Sequence, residues 1–294
     1  MNSDRLIYAR ERLLQRLFRI PVGEVLNPDP ASTPSGKAVE LANLLMQTAN
    51  QMKAEAIDDE NGQVDYKRLR QTSAYKQYVG ELIPQLHHLD LNDLRDNQAA
   101  TSFWINLYNT LTLHAVIEFG ITESIASGGF GGHVRFFRRA AYMVGGMRFS
   151  LENIEHGVLR GNAGNPIQVS RQFAPDDKRM ACVISPVDPR IHFALNCASN
   201  SCPPIGFYDP GRLNQQLDLA SENFIRNETV LYQDRLHISK LFRWYRKDFG
   251  GDVPIVDFLL RYLPDDERRQ WLTLHRSRPK FHYLPYDWGL NKLK

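Results

Sequence analysis

The segment NQAATSFWINLYNTLTLHAVIEFG constrains the fold more than any other part of the chain. It contains no proline and ends at Gly120, a residue typical of helix C-termini. Apolar residues fall on every side of its helical wheel, with Trp104 and Tyr108 in one stripe and Phe103 outside that stripe. A helix that is apolar all round is buried, so we predict a central helix at about 97–119, covered by other elements.

The rest of the chain combines short helical patterns with short strand patterns. AAYMVGGMRFS predicts a hairpin that turns at Gly145-Gly146, and TVLYQDRLHIS predicts a second hairpin. RIHFALN has the pattern of a strand, and Ser150 is a good N-cap for a short helix over LENIEHGVLR. Strands and crossover helices do not alternate regularly. We therefore predict an α+β fold in which the central helix packs against a small antiparallel sheet, with further helices around it.

A proline-rich stretch divides the chain. Residues 21–36, PVGEVLNPDPASTPSG, hold four prolines and two glycines without an apolar period, which is typical of a linker. Ser35 is a suitable N-cap for the helix that follows, and Asn61-Gly62 predicts a turn. We predict a helical N-terminal extension over 1–59 and one α+β domain over 60–294.

The charge balance and the hydropathy of the chain limit the classes of protein to which it can belong. The 294 residues include 36 basic and 33 acidic side chains, a net charge of +3, so no global field favours nucleic acid. Charged residues interrupt every early apolar run before it reaches signal-peptide length, and no later run approaches the ~20 residues of a membrane span. We therefore predict a cytoplasmic protein, whose three cysteines a reducing compartment would keep mostly as thiols.

The first helix is basic and amphipathic. RLIYARERLLQRLFRI carries five arginines against one glutamate and places Leu6, Leu13, Leu17 and Ile20 on one side. One interpretation is a docking helix whose apolar stripe covers the main domain. The other is a helix that lies on a membrane surface or on a partner protein.

Five blocks of the sequence resemble a known family. SFWINLYNTLTLHAV, SLENIEHGVLR, PRIHFALNCASNSCPPI, ISKLFRWYRKDFG and YLPYDWGLN follow one another in this order, and NGQVDYKRL precedes them. Over about residues 60–294 the chain resembles the DUF547 family. Blocks in the right order are more specific than one short motif. The resemblance implies a family and a domain boundary, and it implies no reaction.

The stretch HFALNCASNSCPPIGFYDPG carries the residues most suited to chemistry. A thiolate nucleophile needs a base nearby, and the base needs a third group to orient it. Cys197 is the candidate nucleophile, with His192 or His156 as the base and Glu155 as the orienting carboxylate. Asn106, on the central helix, is a candidate polarising amide, and it is equally well suited to a structural clamp. Cys202 would satisfy the same pattern as Cys197.

Two features complicate this interpretation. His192 and Cys197 are five residues apart, so they point to opposite faces of a regular strand, and the chain must turn for them to meet. A disulfide between Cys197 and Cys202 across a four-residue loop is an alternative, and it requires that their Cα atoms come within ~7 Å. The spacing lacks the second close ligand pair of a zinc site, and we predict no metal.

The expected function has two alternatives. One is a thiol-dependent hydrolase or acyl-transfer enzyme, with backbone N–H groups near 200–202 stabilising the oxyanion. Its layout loosely resembles papain-like and transglutaminase-like folds, although those place the cysteine at the start of the helix, where this chain has TSFWIN. The other is a non-catalytic module that binds a peptide or protein ligand with a rigid Cys-Pro loop. No phosphate-binding loop is present, so we predict no cofactor.

Overall fold

The computed structural model describes residues 3–32, 37–58, 62–94, 96–127, 131–166, 170–277 and 279–293. Ser35 and Asn61, predicted to cap a helix and to form a turn, lie outside these residues. Among the described residues, no helix is long and apolar enough to cross a membrane.

Helices form most of the structure. The α-helices are α1 (Ser3–Leu17), α2 (Ala38–Ala56), α3 (Tyr66–Gln71), α4 (Ser73–Gln77), α5 (Asn97–Glu118), α6 (Gly132–Arg139), α7 (Leu213–Glu228), α8 (Lys240–Trp244), α9 (Asp252–Tyr262) and α10 (Glu267–Leu274). Wider π-helical turns span Tyr78–Leu82 and Asn153–Leu159. Tighter 3₁₀ turns span Ile83–His88, Leu91–Asp93, Lys178–Cys182, Pro189–Phe193 and Pro210–Arg212.

The central helix is confirmed as α5. Its N-cap is Asp96, whose carboxylate accepts a hydrogen bond from the backbone N–H of Ala99 at 2.9 Å. Every side chain from Ala100 to Val116 is buried. The all-round apolar pattern is therefore matched by all-round packing, chiefly against α2 and the turns at Asn153–Leu159 and Pro210–Arg212.

The strands form two small sheets. Strands β1 (Ala141–Val144) and β2 (Met147–Ser150) make the first predicted hairpin. Strands β3 (Val230–Tyr232) and β4 (Arg235–Ile238) make the second, and β5 (Phe281–Tyr283) joins β4 in parallel. The α+β class and both antiparallel hairpins are confirmed. The parallel strand β5, which pairs across more than forty residues of sequence, was not predicted.

The predicted strand over RIHFALN is wrong. Residues Pro189–Phe193 form a 3₁₀ turn, and the carboxylate of Asp188 caps it by accepting from the N–H of Arg190 at 3.0 Å. An Asp-Pro pair favours the start of a helical turn because proline fixes φ and needs no N–H partner there. Residues 191–196 are all buried, whereas a half-buried strand would alternate.

This turn joins two hydrophobic cores. Ile191 packs in the core around α5, whereas Phe193 packs in a second core formed by α7, α9 and their neighbours. His192 lies between these two residues and is itself 3% exposed. The junction of the two cores therefore holds a polar side chain away from bulk water.

The N-terminal segment lies against the rest of the chain. Ile7 and Ile20 are buried, and the N–H of Leu26 donates to the carbonyl of Ala141 at 2.8 Å. The buried Asn27 side chain donates to the carbonyls of residues 83 and 143 and accepts from the N–H of residue 143. The first part of the proline-rich stretch is thus held at the edge of the first hairpin. The division at residues 59 and 60 stays a prediction.

Candidate functional site

A cavity of about 230 Å³ opens beside the 3₁₀ turn at Pro189–Phe193. Its polar lining includes Glu155, His156, His192, Cys197 and Cys202, and its apolar lining includes Phe137, Trp244, Tyr245, Tyr286 and Trp288. Four of the five residues predicted from the sequence to form a site are therefore brought to one cavity. The exception is Asn106.

Glu155 lies on the floor of the cavity and is 8% exposed. Its carboxylate accepts hydrogen bonds from the hydroxyls of Tyr108 at 3.0 Å and Tyr245 at 2.5 Å. Burial acts to raise the pKa of Glu155, but the adjacent His156, the Tyr245 hydroxyl and Arg160 outweigh it and lower the pKa. Glu155 is therefore a carboxylate anion at neutral pH.

His156 is held by a guanidinium group. Arg160 Nη1 donates to His156 Nδ1 at 3.0 Å, and since arginine stays protonated, Nδ1 must accept. Burial, and secondarily the charge of Arg160, lower the pKa of His156 to about 4 against the opposing effect of Glu155. His156 is therefore neutral, with its proton on Nε2. Within the described part of the chain, Nε2 has no hydrogen-bond partner.

His192 forms a dyad with a carboxylate that we did not predict. Its Nε2 lies 2.8 Å from Asp248 Oδ2, and its ring stacks on Tyr245 with centroids 3.8 Å apart. Asp248 also accepts from Arg160 Nε at 2.5 Å and Nη2 at 3.0 Å. Burial lowers the pKa of His192 despite the hydrogen bond to Asp248.

Asp248 itself is firmly ionised. Burial acts to raise its pKa, but the hydrogen bonds from His192 and Arg160 lower the pKa to about 2. A permanent carboxylate at Nε2 fixes the neutral tautomer of His192, with the proton on Nε2 and the lone pair on Nδ1. Asp248 lies within ISKLFRWYRKDFG, a block that the sequence analysis used only for the family resemblance.

Glu155 does not have the orienting role expected of it. It lies 3.7 Å from His156 Nδ1, an ion-pair distance that is too long for a hydrogen bond. The tautomer of His156 is set by Arg160 and that of His192 by Asp248. Glu155 acts instead on Tyr245, the ring against which His192 packs.

The two cysteines of the loop form a disulfide. Cys197 and Cys202 are bonded, with Cα atoms 6.2 Å apart. The Tyr286 hydroxyl lies 3.4 Å from the Cys197 sulfur and 3.2 Å from the Cys202 sulfur, and Ser199 Oγ lies at 3.2 and 3.3 Å. In this form neither sulfur is a nucleophile, contrary to the free thiol that we expected. No pattern in the sequence pointed to Tyr286 or Ser199 beyond their place in two of the quoted blocks.

The N–H groups expected to stabilise an oxyanion are occupied. Those of residues 200, 201 and 202 donate to the carbonyls of Gly289, Asp287 and Ser199 at 2.8, 3.3 and 3.0 Å. They stabilise the loop conformation and are not available to a ligand.

Two asparagines of α5 position the loop. Asn106 donates to the carbonyl of Tyr208 at 2.9 Å and accepts from its N–H at 2.7 Å. Asn109 donates to the carbonyl of Ala194 and accepts from the N–H of Asn196, both at 2.9 Å. Asn106 is thus the structural clamp that the sequence left open as an alternative. Asn109 fixes the residue immediately before Cys197.

Aromatic rings form the outer wall. The ring centroids of Trp244, Tyr286 and Trp288 lie 4.6–5.9 Å from one another, and His133 lies 5.8 Å from Trp288. This wall provides flat apolar surface above the polar floor. Throughout the described ranges, no group of three or more His, Cys, Asp and Glu side chains is arranged to hold a metal ion.

The family expectation is confirmed over part of the chain. Residues 91–225 match the family described as "Protein of unknown function, DUF547". No curated protein and no solved structure matches the chain significantly. The matched segment contains α5, Glu155, His156, His192 and Cys197, whereas Asp248 and Tyr286 lie beyond it. The cavity is therefore completed by residues outside that segment.

Proposed function

We propose that the chain is a thiol-dependent hydrolase or acyl-transfer enzyme, with Cys197 as the nucleophile and the Cys197–Cys202 disulfide as its resting form. One observation carries the proposal: the Cys197 sulfur shares a small cavity with two neutral imidazoles, His156 and His192. An acyl group is the substrate class that suits a sulfur nucleophile beside such groups.

The two histidines have different roles in this proposal. Because Asp248 binds the Nε2–H of His192, its Nδ1 carries the lone pair, so His192 is the general base. His156 has the opposite tautomer, and its Nε2–H is a donor that polarises the acyl carbonyl. A base must be unprotonated at the working pH, which the lowered pKa of His192 satisfies.

The chemistry begins with reduction. A dithiol of the reducing class transfers two electrons and two protons to the disulfide, which gives the thiols of Cys197 and Cys202 and a cyclic disulfide of the reductant. His192 then takes the Cys197 proton, and the sulfur attacks the acyl carbonyl carbon. The leaving alcohol or amine departs with that proton and leaves a thioester. Water or another acceptor then releases the acyl group and regenerates the thiol.

We also propose a cytoplasmic location for the protein. A cytoplasmic thiol pool would supply the dithiol that reduces the Cys197–Cys202 disulfide.

Substitution of Cys202, the disulfide partner of Cys197, provides the sharpest test. Cys202→Ser leaves Cys197 without its disulfide partner, so we expect this variant to hydrolyse p-nitrophenyl acetate without dithiothreitol. The wild type should need dithiothreitol, and Cys197→Ser should be inactive with or without it. Cys182→Ser is the matched control, because Cys182 is a free cysteine whose pKa burial raises to about 11.

Iodoacetamide labelling of the Cys202→Ser variant, with the modified peptide located by mass spectrometry, measures the pKa of Cys197. We expect a midpoint below the ~8.5 of an ordinary thiol and an upward shift of that midpoint in a His192→Gln background. An ordinary midpoint, together with hydrolysis no faster than that of Cys197→Ser, would show that Cys197 is not a nucleophile.

A second candidate is a non-catalytic module that binds a peptide or protein ligand. The aromatic wall of Trp244, Tyr286 and Trp288 favours it, because a cluster of rings binds apolar ligand groups without chemistry. A Cys202→Ser variant that is inactive, but whose tryptophan fluorescence saturates with an aromatic peptide, would support this second function.

A further inference from the structure

We propose that the exposed face of α1 is a docking surface for membranes that contain anionic lipid. The helix has two faces with different partners. One face holds it to the protein, and the other carries arginine and leucine side chains into solvent.

The inner face of α1 is anchored by specific contacts. Ile7 is 7% exposed, the Tyr8 hydroxyl donates to Asp176 at 2.7 Å, and Glu11 accepts from the buried Arg138 at 2.7 Å. These inner-face contacts hold α1 against the protein, so its orientation does not depend on the side chains of its outer face. Substitutions on the outer face therefore test binding without undoing the anchorage.

Three leucines lie exposed on the outer face, whereas a helix that docks on the domain would bury them. Leu6, Leu13 and Leu17 are 48%, 64% and 59% exposed. The stripe predicted to cover the main domain is therefore divided: Ile20, beyond the end of α1, is buried, whereas the three leucines of α1 point to solvent. At 3.6 residues per turn, the three leucines fall within an arc of roughly 40° and so form one ridge along the helix.

A parallel ridge of positive charge accompanies the leucines. Arg5, Arg12 and Arg16 are exposed and also fall within roughly 40°, about 100° around the helix from the leucine ridge. None of them forms an ion pair with a described residue. The one acidic residue in 5–17, Glu11, is turned inward against Arg138. Among the described side chains, the outer face therefore carries positive charge that no acidic group neutralises.

This arrangement fits a lipid surface better than a protein groove. A helix that lies in the membrane interface inserts an apolar ridge between the headgroups while arginines beside it reach the phosphates. The arginine and leucine ridges of α1 have that relation. Binding should then require both the leucines and anionic lipid, because one short apolar ridge gives only marginal affinity by itself.

Vesicle sedimentation tests the proposal with the full chain. The probe is a set of extruded vesicles of phosphatidylcholine alone or of equimolar phosphatidylcholine and phosphatidylserine. We expect binding to the anionic vesicles only, and a bound fraction that falls as salt rises. Arg12→Gln/Arg16→Gln should weaken the partition coefficient about 30-fold, at about fivefold per arginine. Leu13→Ser/Leu17→Ser should weaken it at least tenfold.

The matched control is Leu219→Ser/Arg226→Gln, which removes an exposed leucine and an exposed arginine from α7. It should bind as the wild type does, and all variants should share one thermal midpoint. Equal binding to both vesicle types, or an equal loss in the α7 control, would overturn the proposal. So would binding of the wild type to heparin but not to anionic vesicles, which would assign the face to a polyanion such as nucleic acid.

Discussion

Replacement of Asp248 by asparagine tests how much the buried network of Asp248, Arg160 and His192 stabilises the fold. In the wild type, Asp248 accepts two hydrogen bonds from Arg160 and lies 2.8 Å from His192 Nε2, with its side chain 5% exposed. Asparagine keeps the size of the side chain and removes its charge. Arg160 then keeps its positive charge in the interior with neutral hydrogen-bond partners, the ring of His156 and the carbonyl of Gly164, and with Glu155 as the anion that still acts on it.

The magnitude follows from the pKa of Asp248. The pKa is lowered from 3.8 to about 2 in the folded chain, which corresponds to about 2–3 kcal/mol of stabilisation. Because the folded pKa is the lower one, this stabilisation is present above pH ~4 and is lost as the pH falls toward 2. At neutral pH the cost of Asp248→Asn should be larger, about 3–5 kcal/mol, since a buried arginine loses its counter-charge.

Urea unfolding followed by tryptophan fluorescence measures both effects. We expect Asp248→Asn to lower the free energy of unfolding at pH 7 and to flatten its decrease between pH 4 and pH 2. Asp257→Asn is the control, because Asp257 forms an exposed ion pair with Arg276 and should cost less than about 1 kcal/mol. If Asp248→Asn costs no more than this control and keeps the acid slope of the wild type, the network does not stabilise the fold as argued.

Substitutions at three single positions give further predictions. Gly157→Ala would place a carbon 2.3 Å from a buried phenylalanine ring and should cost about 1–3 kcal/mol in urea unfolding, whereas Gly80→Ala, with nothing within 4 Å of the new carbon, should cost less than about 1. Asn109→Ala should cost about 2 kcal/mol or more and should speed hydrogen exchange at the Asn196 amide, which donates to it; unchanged exchange would contradict the clamp. His156 has a folded pKa of about 4, below its ordinary 6.5, so its contribution to stability is complete above pH ~6.5 and is lost toward pH 4. His156→Gln should flatten the stability profile in that window, and an imidazole NMR signal that titrates near pH 6.5 would contradict this.

The parts of the fold that were predicted from the sequence depend on local patterns. The helix α5 was predicted because apolar residues surround its wheel, and the two hairpins because glycine or polar turn residues separate short strands. In each case the residues whose pattern predicts the element are the residues that form it. The strand at 190–196 was predicted wrongly for a related reason: a short, fully buried apolar run does not distinguish a strand from a helical turn.

The candidate site depended on partners that are distant in sequence. His156, His192 and Cys197 were predicted from the sequence by residue type, and all three line one cavity. The sequence did not identify Asp248, because nothing local to RWYRKDFG shows that its carboxylate meets a histidine 56 residues earlier. Asn106 carried two equally good interpretations until its backbone partners, about one hundred residues away, were known.

In the function proposed above, the charges of the site favour joint ionisation of the Cys197 thiol and of His192 after reduction of the disulfide. At neutral pH the network holds two anions, Glu155 and Asp248, and one cation, Arg160, so it carries a net charge of about −1 in a buried position. A proton that moves from Cys197 to His192 brings that network to neutrality and places an imidazolium in the cavity that the thiolate lines. Burial alone disfavours each ion, but the pair forms without a net charge being buried. If the proposed function holds, we therefore expect the Cys197 thiol of the reduced protein and His192 to be coupled, so that replacement of either residue changes the titration of the other.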